Sequence, residues 1–346
     1  MNLFKNIVSV AVCSIGLSLC ARSQDLHFSQ FMNSPLLTNP ANTGFTPDGD
    51  YRIGINYRNQ WSSLMTIPYK TMSAFGDMQL AQKESSWIGV GGLILRDVAG
   101  TGSLTSTRLY GSVAYHQMLN LGSLLSMGFN VGWANKRINT ANLTFPNQWN
   151  GKFFDVHQVG LAPQLATDNI NYLDLQAGMN YAFFPNENTY LNVGFSSHHI
   201  NRPRESFFDP QQGVDNRIPV RHTAFVNGSF KLNDQWIINP NTYFSLQAGS
   251  YEWVAGLNAH YNLSGDGEKV LIGGIYFRAG DAVIPMIGIG LKDYTFTFTY
   301  DATVSTLSNY NNSSGALEFS LVRQGIFNKF NGNKRDFMCP SFKSAY

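Results

Sequence analysis

Charge is the first thing this chain is short of. Asp, Glu, Lys and Arg make up 13% of its 346 residues, about half the roughly 25% usual in soluble domains. Long apolar runs are missing too. Mean hydropathy is only -0.16, whereas a helical membrane protein needs about 20 consecutive apolar residues for each span. Patterns of Glu, Lys and Ala that favour helix are scarce. Cysteine is limited to Cys13, Cys20 and Cys339. Together these shortages argue against a helical membrane bundle and a disulfide-held scaffold.

What the chain does have is 14% aromatic residues and 32 glycines. Low charge, many rings and mild hydropathy suit a β-barrel with lipid outside and polar groups inside. A soluble β-sandwich fits the composition as an alternative. The length suits a single closed sheet, which grows by adding strands.

The N-terminus reads as a secretory signal over residues 1–23. Lys5 supplies the positive region, Ile7 to Leu19 the apolar core, and Ala21-Arg22-Ser23 the small residues before cleavage at Ser23/Gln24. The apolar stretch is too short to serve as a membrane anchor. Cys20 raises a lipoprotein alternative, but Leu19 stands where such signals carry a small residue. Removing Lys5 and Arg22 leaves the mature chain with as many bases as acids. A zero net charge gives no basis for nucleic-acid binding. Cys339 is then the one cysteine left, so no internal disulfide can form.

Period-two alternation recurs along the mature chain. Leu173, Leu175, Ala177, Met179, Tyr181 and Phe183 alternate with Asp174, Gln176, Gly178 and Asn180. Trp253, Ala255, Leu257, Ala259 and Tyr261 do so with Glu252, Asn258, His260 and Asn262. Successive strand residues face opposite sides, so each segment has one apolar and one polar or small face. The pattern sets strands at about 50–59, 69–79, 86–97, 104–116, 122–137, 171–184 and 187–197. Seven more follow at 219–232, 235–246, 250–262, 268–278, 282–292, 293–304 and 314–323. The expectation is an all-β fold, a transmembrane antiparallel β-barrel of about 14 strands in the outer membrane.

Loop lengths separate barrel from sandwich. Connections after even-numbered strands are tight, with turn residues at Pro185-Asn186, Asn233-Asp234 and Asp266-Gly267. The two longest, 138–170 and 198–218, both follow odd-numbered strands. Short turns on one side and long loops on the other are what an outer-membrane barrel shows, with both termini then periplasmic. Tyr51, Trp61, Trp87, Tyr115, Trp133, Trp236 and Tyr251 lie near strand ends, where rings sit at a membrane interface. Pro240 and Pro285 fall inside strands and are expected to mark bulges. Gly89, Gly91 and Gly92 are read as relief of crowding on a curved wall.

Polar wall positions Arg52, Arg58, Asp77, Arg96, Arg108, Asp174 and Glu318 are expected to line the lumen. They suit either a water-filled conduit or a network bracing a barrel whose work is recruitment. Residues 24–49 stand before the barrel at 50–324, and a polar tail follows at 325–346. The first of these has two open placements, a periplasmic contact or a plug folded into the lumen.

That first segment carries a resemblance. Phe28-Ser29-Gln30-Phe31, Pro35, then Asn39-Pro40-Ala41 and Gly44 resemble the opening of the PorP/SprF family. Tyr51 to Trp61 is similar to that family's first strand. The family comprises outer-membrane proteins of the type IX secretion system of Bacteroidota. The resemblance implies an accessory in export of large surface proteins such as gliding adhesins. It implies as partners the translocon, periplasmic ring proteins and cargo bearing a C-terminal sorting domain, besides membrane lipid. Phe28, Ser29, Gln30, Pro35, Asn39, Pro40, Ala41 and Gly44 are the motif residues and candidate periplasmic contacts. Cys339 and Pro340 in the tail are further candidates, with an incidental thiol as the bland alternative for Cys339.

No catalytic signature accompanies them. His-Glu-x-x-His, Gly-x-Ser-x-Gly and a phosphate loop are missing. His198-His199 diverge as strand neighbours and have no acidic or Cys partner nearby in sequence, so no metal site is expected. No cofactor is implied. A diffusion pore or small-solute transporter is the alternative function.

Overall fold

The computed structural model describes residues 25–327, apart from 48, 63–64, 66, 101–102, 141–142, 144, 154, 156, 158–164, 210–214, 307 and 312. The signal segment, Cys339 and Pro340 lie outside the described residues. The first seven strands are β1 (Tyr51–Gln60), β2 (Tyr69–Leu80), β3 (Ser86–Ala99), β4 (Leu104–Asn120), β5 (Ser123–Arg137), β6 (Asn169–Asn186) and β7 (Thr189–His198). The other seven are β8 (Arg221–Lys231), β9 (Trp236–Gln247), β10 (Ser250–Asn262), β11 (Lys269–Arg278), β12 (Ala282–Leu291), β13 (Tyr294–Thr303) and β14 (Ser314–Gly325). Every strand pairs antiparallel with its sequence neighbours, and β1 pairs with β14 to close the barrel.

Alternation decides the two faces. Ile53 and Ile55 are 54% exposed on the outer wall, while Arg52, Asn56 and Arg58 at the alternate positions are buried inside. Leu109, Val113, Met127, Val131, Leu173 and Ile275 continue the outer apolar face. In a soluble protein such a surface would drive association. Against hydrocarbon it is the favourable one, and closure leaves no unpaired edge. Short turns gather at one rim, where β1 begins and β14 ends, and the long connections 138–168 and 199–220 gather at the other.

Several expectations change at this level. Arg96 faces outward near the long-loop rim and is exposed, because its parity on β3 is that of Ile94. Trp87 points inward and is buried, so it is no interface ring. Pro240 pairs with Leu257 and Pro285 with Ile275 without any bulge. On their other sides pairing is skipped with the register kept. Register shifts occur instead at Met118/Asn120, Phe183/Asn186 and Asp301/Ala302.

The segment before β1 occupies the lumen. It forms a 3-10 turn over Phe31–Asn33, one helical turn over Pro35–Thr38 and a second 3-10 turn over Pro40–Asn42. Pro35 and Pro40 open their turns, where a fixed φ helps and no N–H is needed. The Asn39 side chain caps the last turn by accepting from Ala41 N at 2.9 Å. The segment crosses the barrel lengthwise. Asp50 N donates to Gly325 O at the short-turn rim, whereas Asp25 meets Arg108, Arg221 and His199 near the long-loop rim. The two ends of the described chain therefore do not share a rim, which corrects the expectation of two ends on one side.

Three interior clusters each take one ring from this plug. Phe28 packs with Phe75, Leu93, Leu95 and Tyr110. Phe31 packs with Tyr243, Ile272, Tyr276 and Ile284. Phe45 packs with Trp87, Leu124 and Phe184. Burying each such side chain contributes about 1.5–3 kcal/mol, so three rings spread the attachment around the wall.

Candidate functional site

Two charged clusters fix the outer part of the plug. The first is centred on Ser29. Its hydroxyl donates to Asp301 of β13 at 2.8 Å and accepts from Arg58 of β1 at 2.9 Å and from Arg278 of β11. The main-chain N–H groups of Ser29 and Gln30 donate to the two oxygens of Glu318 on β14, at 2.8 and 3.1 Å. Arg58 also pairs with Glu318, and Arg278 with Glu252 on β10 at 3.1 Å. Gln30 and Asn33 reach Thr297 on β13. Strands far apart in sequence thus converge on two plug residues.

The second cluster surrounds Asp25. Its carboxylate faces Arg108 of β4 at 2.7 Å, Arg221 of β8 at 3.5 Å and His199 at 3.0 Å. His199 lies just past β7, and its Nδ1 meets Asp174 of β6 at 2.8 Å. Tyr110 donates to the other Asp174 oxygen at 2.6 Å. Burial alone would push the Asp25 carboxyl up, but Arg108 and Arg221 outweigh it and hold it well below the usual carboxylate range. Burial alone would lower His199, yet Asp174 and Asp25 raise it above the ordinary imidazole value. His199 did have acidic partners. They come from residues 25 positions away and 174 positions away, where no local pattern reveals them.

The inner part of the plug is seated differently. Asn39 donates to Asn180 Oδ1 at 2.7 Å and to the carbonyls of Met179 and Phe195. Gly44 N donates to Asp77 at 2.7 Å, Asp77 pairs with Arg52 at 2.7 Å, and Trp87 donates to Gly44 O at 3.0 Å. The wall is cleared beneath. A Cβ on Gly89 would lie 1.9 Å from Thr43 O, and one on Gly128 would lie 2.3 Å from the Pro40 carbonyl carbon. These glycines admit the plug backbone; relief of wall crowding is not their main role.

The motif residues Phe28, Ser29, Gln30, Pro35, Asn39, Pro40 and Ala41 are buried inside the barrel, as is Gly44. The structure brings Arg52, Arg58, Asp77, Arg108, Asp174 and Glu318 onto the inner wall, each touching the plug or a residue that does. Sequence reasoning missed Asp25, Trp87, His199, Arg221, Arg278, Asp301 and also His116, whose Nε2 meets the plug carbonyl of Thr43 at 2.8 Å. The parity of Trp87, His116, Arg278 and Asp301 on their strands was a usable signal for the inner face. Among the described residues no group of three His, Cys, Asp or Glu side chains is placed to hold a metal. Carboxylates here face guanidinium groups, an arrangement suited to fastening a segment.

Alongside the plug, toward β7–β13, a cavity of about 430 Å³ reaches the short-turn rim at Asp234, Gly267 and Lys292. At the long-loop end, Phe207 and Ile218 pack on Ile170 and Tyr172, and Lys136 pairs with Glu205. The two ends of the lumen therefore differ among the described residues: loop side chains pack on the wall at one, and the cavity opens at the other.

The family model for the type IX secretion system membrane protein PorP/SprF matches residues 21–322. The chain belongs to that family. No curated protein matches the sequence. Among solved structures, the CymD monoaromatic hydrocarbon channel is 10% identical, with a TM-score of 0.50 over 84% of this chain and 92% of that one. The P. putida toluene transporter TodX is 11% identical, with a TM-score of 0.49 over 86% and 95%. A Pseudomonas aeruginosa FadL homologue is 9% identical, with a TM-score of 0.49 over 84% and 94%. The likeness to CymD is one of fold. For the PorP/SprF chain it agrees with a closed outer-membrane barrel.

Proposed function

We propose that this PorP/SprF barrel assists export or surface attachment of large sorting-domain proteins, gliding adhesins among them, by binding cargo and secretion partners. The observation that carries this reading is the occupied lumen. The motif residues from Phe28 to Gly44 lie inside the barrel and are fixed to strands on several sides of it. A wall fastened to its own N-terminal segment suits a platform better than a conduit. In this reading the short-turn rim faces the periplasm, with the ring proteins and the tail from 325 onward. The long loops face outward, toward cargo and translocon. Exposed Trp149, Phe153 and Phe208 on those loops support a protein-binding face there. The barrel carries no catalytic role in this reading, and it is made with a signal peptide cleaved near Ser23/Gln24.

Deletion of the gene, followed by assay of sorting-domain proteins at the cell surface, tests it. Loss or release of specific surface proteins is expected; unchanged export of every such substrate refutes the role. Single-channel recording of the purified barrel addresses the alternative of a diffusion pore or small-solute transporter. A steady large conductance would favour that alternative.

A further inference from the structure

Charge on the strands is divided by face. Asp77, Asp97, Asp174, Glu252, Asp301 and Glu318 are the strand carboxylates, and all are buried on the inner side. The outer face carries cations instead. Near the long-loop rim these are Lys70 on β2, Arg96 on β3 and Arg137 on β5, each exposed. Lys136 pairs with Glu205 and Arg202 with Asp215, but no ion pair among the described residues involves Lys70, Arg96 or Arg137.

Register sets their height on the wall. Ile94, Leu109, Trp133 and Leu173 form one exposed outward row across β3–β6. Arg96, Thr107, Asn135 and Asn171 form the next row toward the rim. Lys70, Val98, Thr105 and Arg137 form the one after. A strand rises about 3.3 Å per residue, so the cations begin about 7 Å past the last apolar row. A groove of about 590 Å³ opens between Arg96 and Arg137, with Thr105 in its lining and Asp168 as its one acid. The nearby connections do not reverse the sign. Residues 61–68 and 100–103 carry no charge, and 138–168 adds Lys152 against Asp155 and Asp168. The patch is also local, because at the same rim β9–β11 present Leu246, Tyr251, Trp253 and Phe277 outward.

Guanidinium groups pair with phosphate through parallel hydrogen bonds, and basic clusters beside a membrane recognise anionic headgroups. A soluble anion needs no apolar row beneath its cations, whereas a lipid uses both. A phosphomonoester carries about 1.5–2 negative charges at neutral pH, enough to engage two arginines, whereas a phosphodiester carries only a single charge. We propose that, with the long loops outward as in the secretion reading, this patch binds the phosphorylated sugar headgroup of an outer-leaflet glycolipid. Its acyl chains then lie on the row from Ile94 to Leu173.

The test uses the purified full-length barrel in detergent, with native mass spectrometry reading retained monophosphoryl lipid A. This lipid should stay bound in preference to its dephosphorylated counterpart and to phosphatidylglycerol. R96Q/R137Q should cut the bound fraction about tenfold, as two exposed charge pairs together would, and R137Q alone should cut it less. Both positions are exposed, so strand content by circular dichroism should not change. R323Q, at an outward cation of the opposite rim, should bind like the parent. The proposal is overturned if either comparison lipid binds equally, if R96Q/R137Q binds like the parent, or if R323Q weakens binding as much. Displacement by equimolar inorganic phosphate would make a free anion the ligand and overturn it as well. Orientation is read separately, by labelling Phe153→Cys in intact cells with a membrane-impermeant thiol reagent. Labelling is expected, and its absence overturns the outer-leaflet source. Surface-protein export is a third readout, so loss of lipid binding leaves the secretion role standing.

Discussion

The hydroxyl of Ser29 donates to the Asp301 carboxylate at 2.8 Å while accepting from the Arg58 guanidinium at 2.9 Å. One small plug side chain thus sits between an acid and a base of the wall. Ser29→Ala leaves both charges in place but removes their shared partner. The expected cost is about 1–3 kcal/mol, the range for an unsatisfied buried polar group. Hydrogen exchange of the peptide covering residues 26–33 should speed up relative to the β-strands. Unaltered exchange there would show that Ser29 does not hold the plug.

Wall glycines give a second handle that leaves the charges untouched. At Gly89 a Cβ would lie 1.9 Å from Thr43 O, and the neighbouring atoms are backbone, which has little room to move. Gly89→Ala and Gly128→Ala should each lift the Pro40–Gly44 stretch from the wall while the strand ladder persists. The readout is cysteine labelling at an introduced Thr43→Cys, slow in the parent and faster in both variants. Equal labelling rates would mean that the approach is looser than these distances.

The barrel itself was legible because its physics is local. Alternation at Leu173 to Phe183 and short turns such as Asn233-Asp234 depend on neighbouring residues only, and the strand ends agree within a few residues. β4 and β6 run further than the alternation suggested, since Gln117 to Asn120 and Asn169 keep pairing beyond the last apolar position. The site was only half legible. Arg58 and Glu318 could be assigned to the inner wall by parity, but their meeting depends on β1 closing against β14. Nothing near His199 in sequence points to Asp25. At Trp87 aromatic identity suggested an interface, whereas the parity it shares with Leu93 and Leu95 on β3 places it inward, as found.

The Asp25 cluster carries a pH dependence with a definite sign. His199 has a raised value in the docked plug, owing to Asp174 and Asp25, so its contribution is complete below about 6.5, the ordinary imidazole value. That contribution is lost as pH rises through the raised value. Asp25 behaves oppositely: its value is lowered, so its share is present above the ordinary carboxylate range and lost only as pH falls well below it. Around it stand Arg108, Arg221, His199 and Asp174, of which the arginines do not titrate here. Protection of residues 25–31 should therefore weaken as pH moves from 6 toward 9, and His199→Gln should flatten the profile. A profile that is equally steep in that variant would remove His199 from the latch.

Removing the plug tests the relation between the occupied lumen and the function most directly. Deleting residues 28–44 takes away Phe28 and Phe31 and the main-chain groups that Glu318 and Asp77 bind. The wall retains its own ion pairs, Arg58 with Glu318 and Arg52 with Asp77, so buried charges are not all stranded. The ladder between β1 and β14 involves no plug residue, and strand content by circular dichroism should persist. In planar bilayers the parent should be nearly silent and the deletion should conduct steadily. If the parent already conducts as well as the deletion, the segment does not obstruct the barrel, and the case for a platform over a pore loses its footing. If neither conducts while strand content is intact, the covering by Phe207 and Ile218 at the long-loop end is the barrier, and deleting residues 203–218 as well should open it.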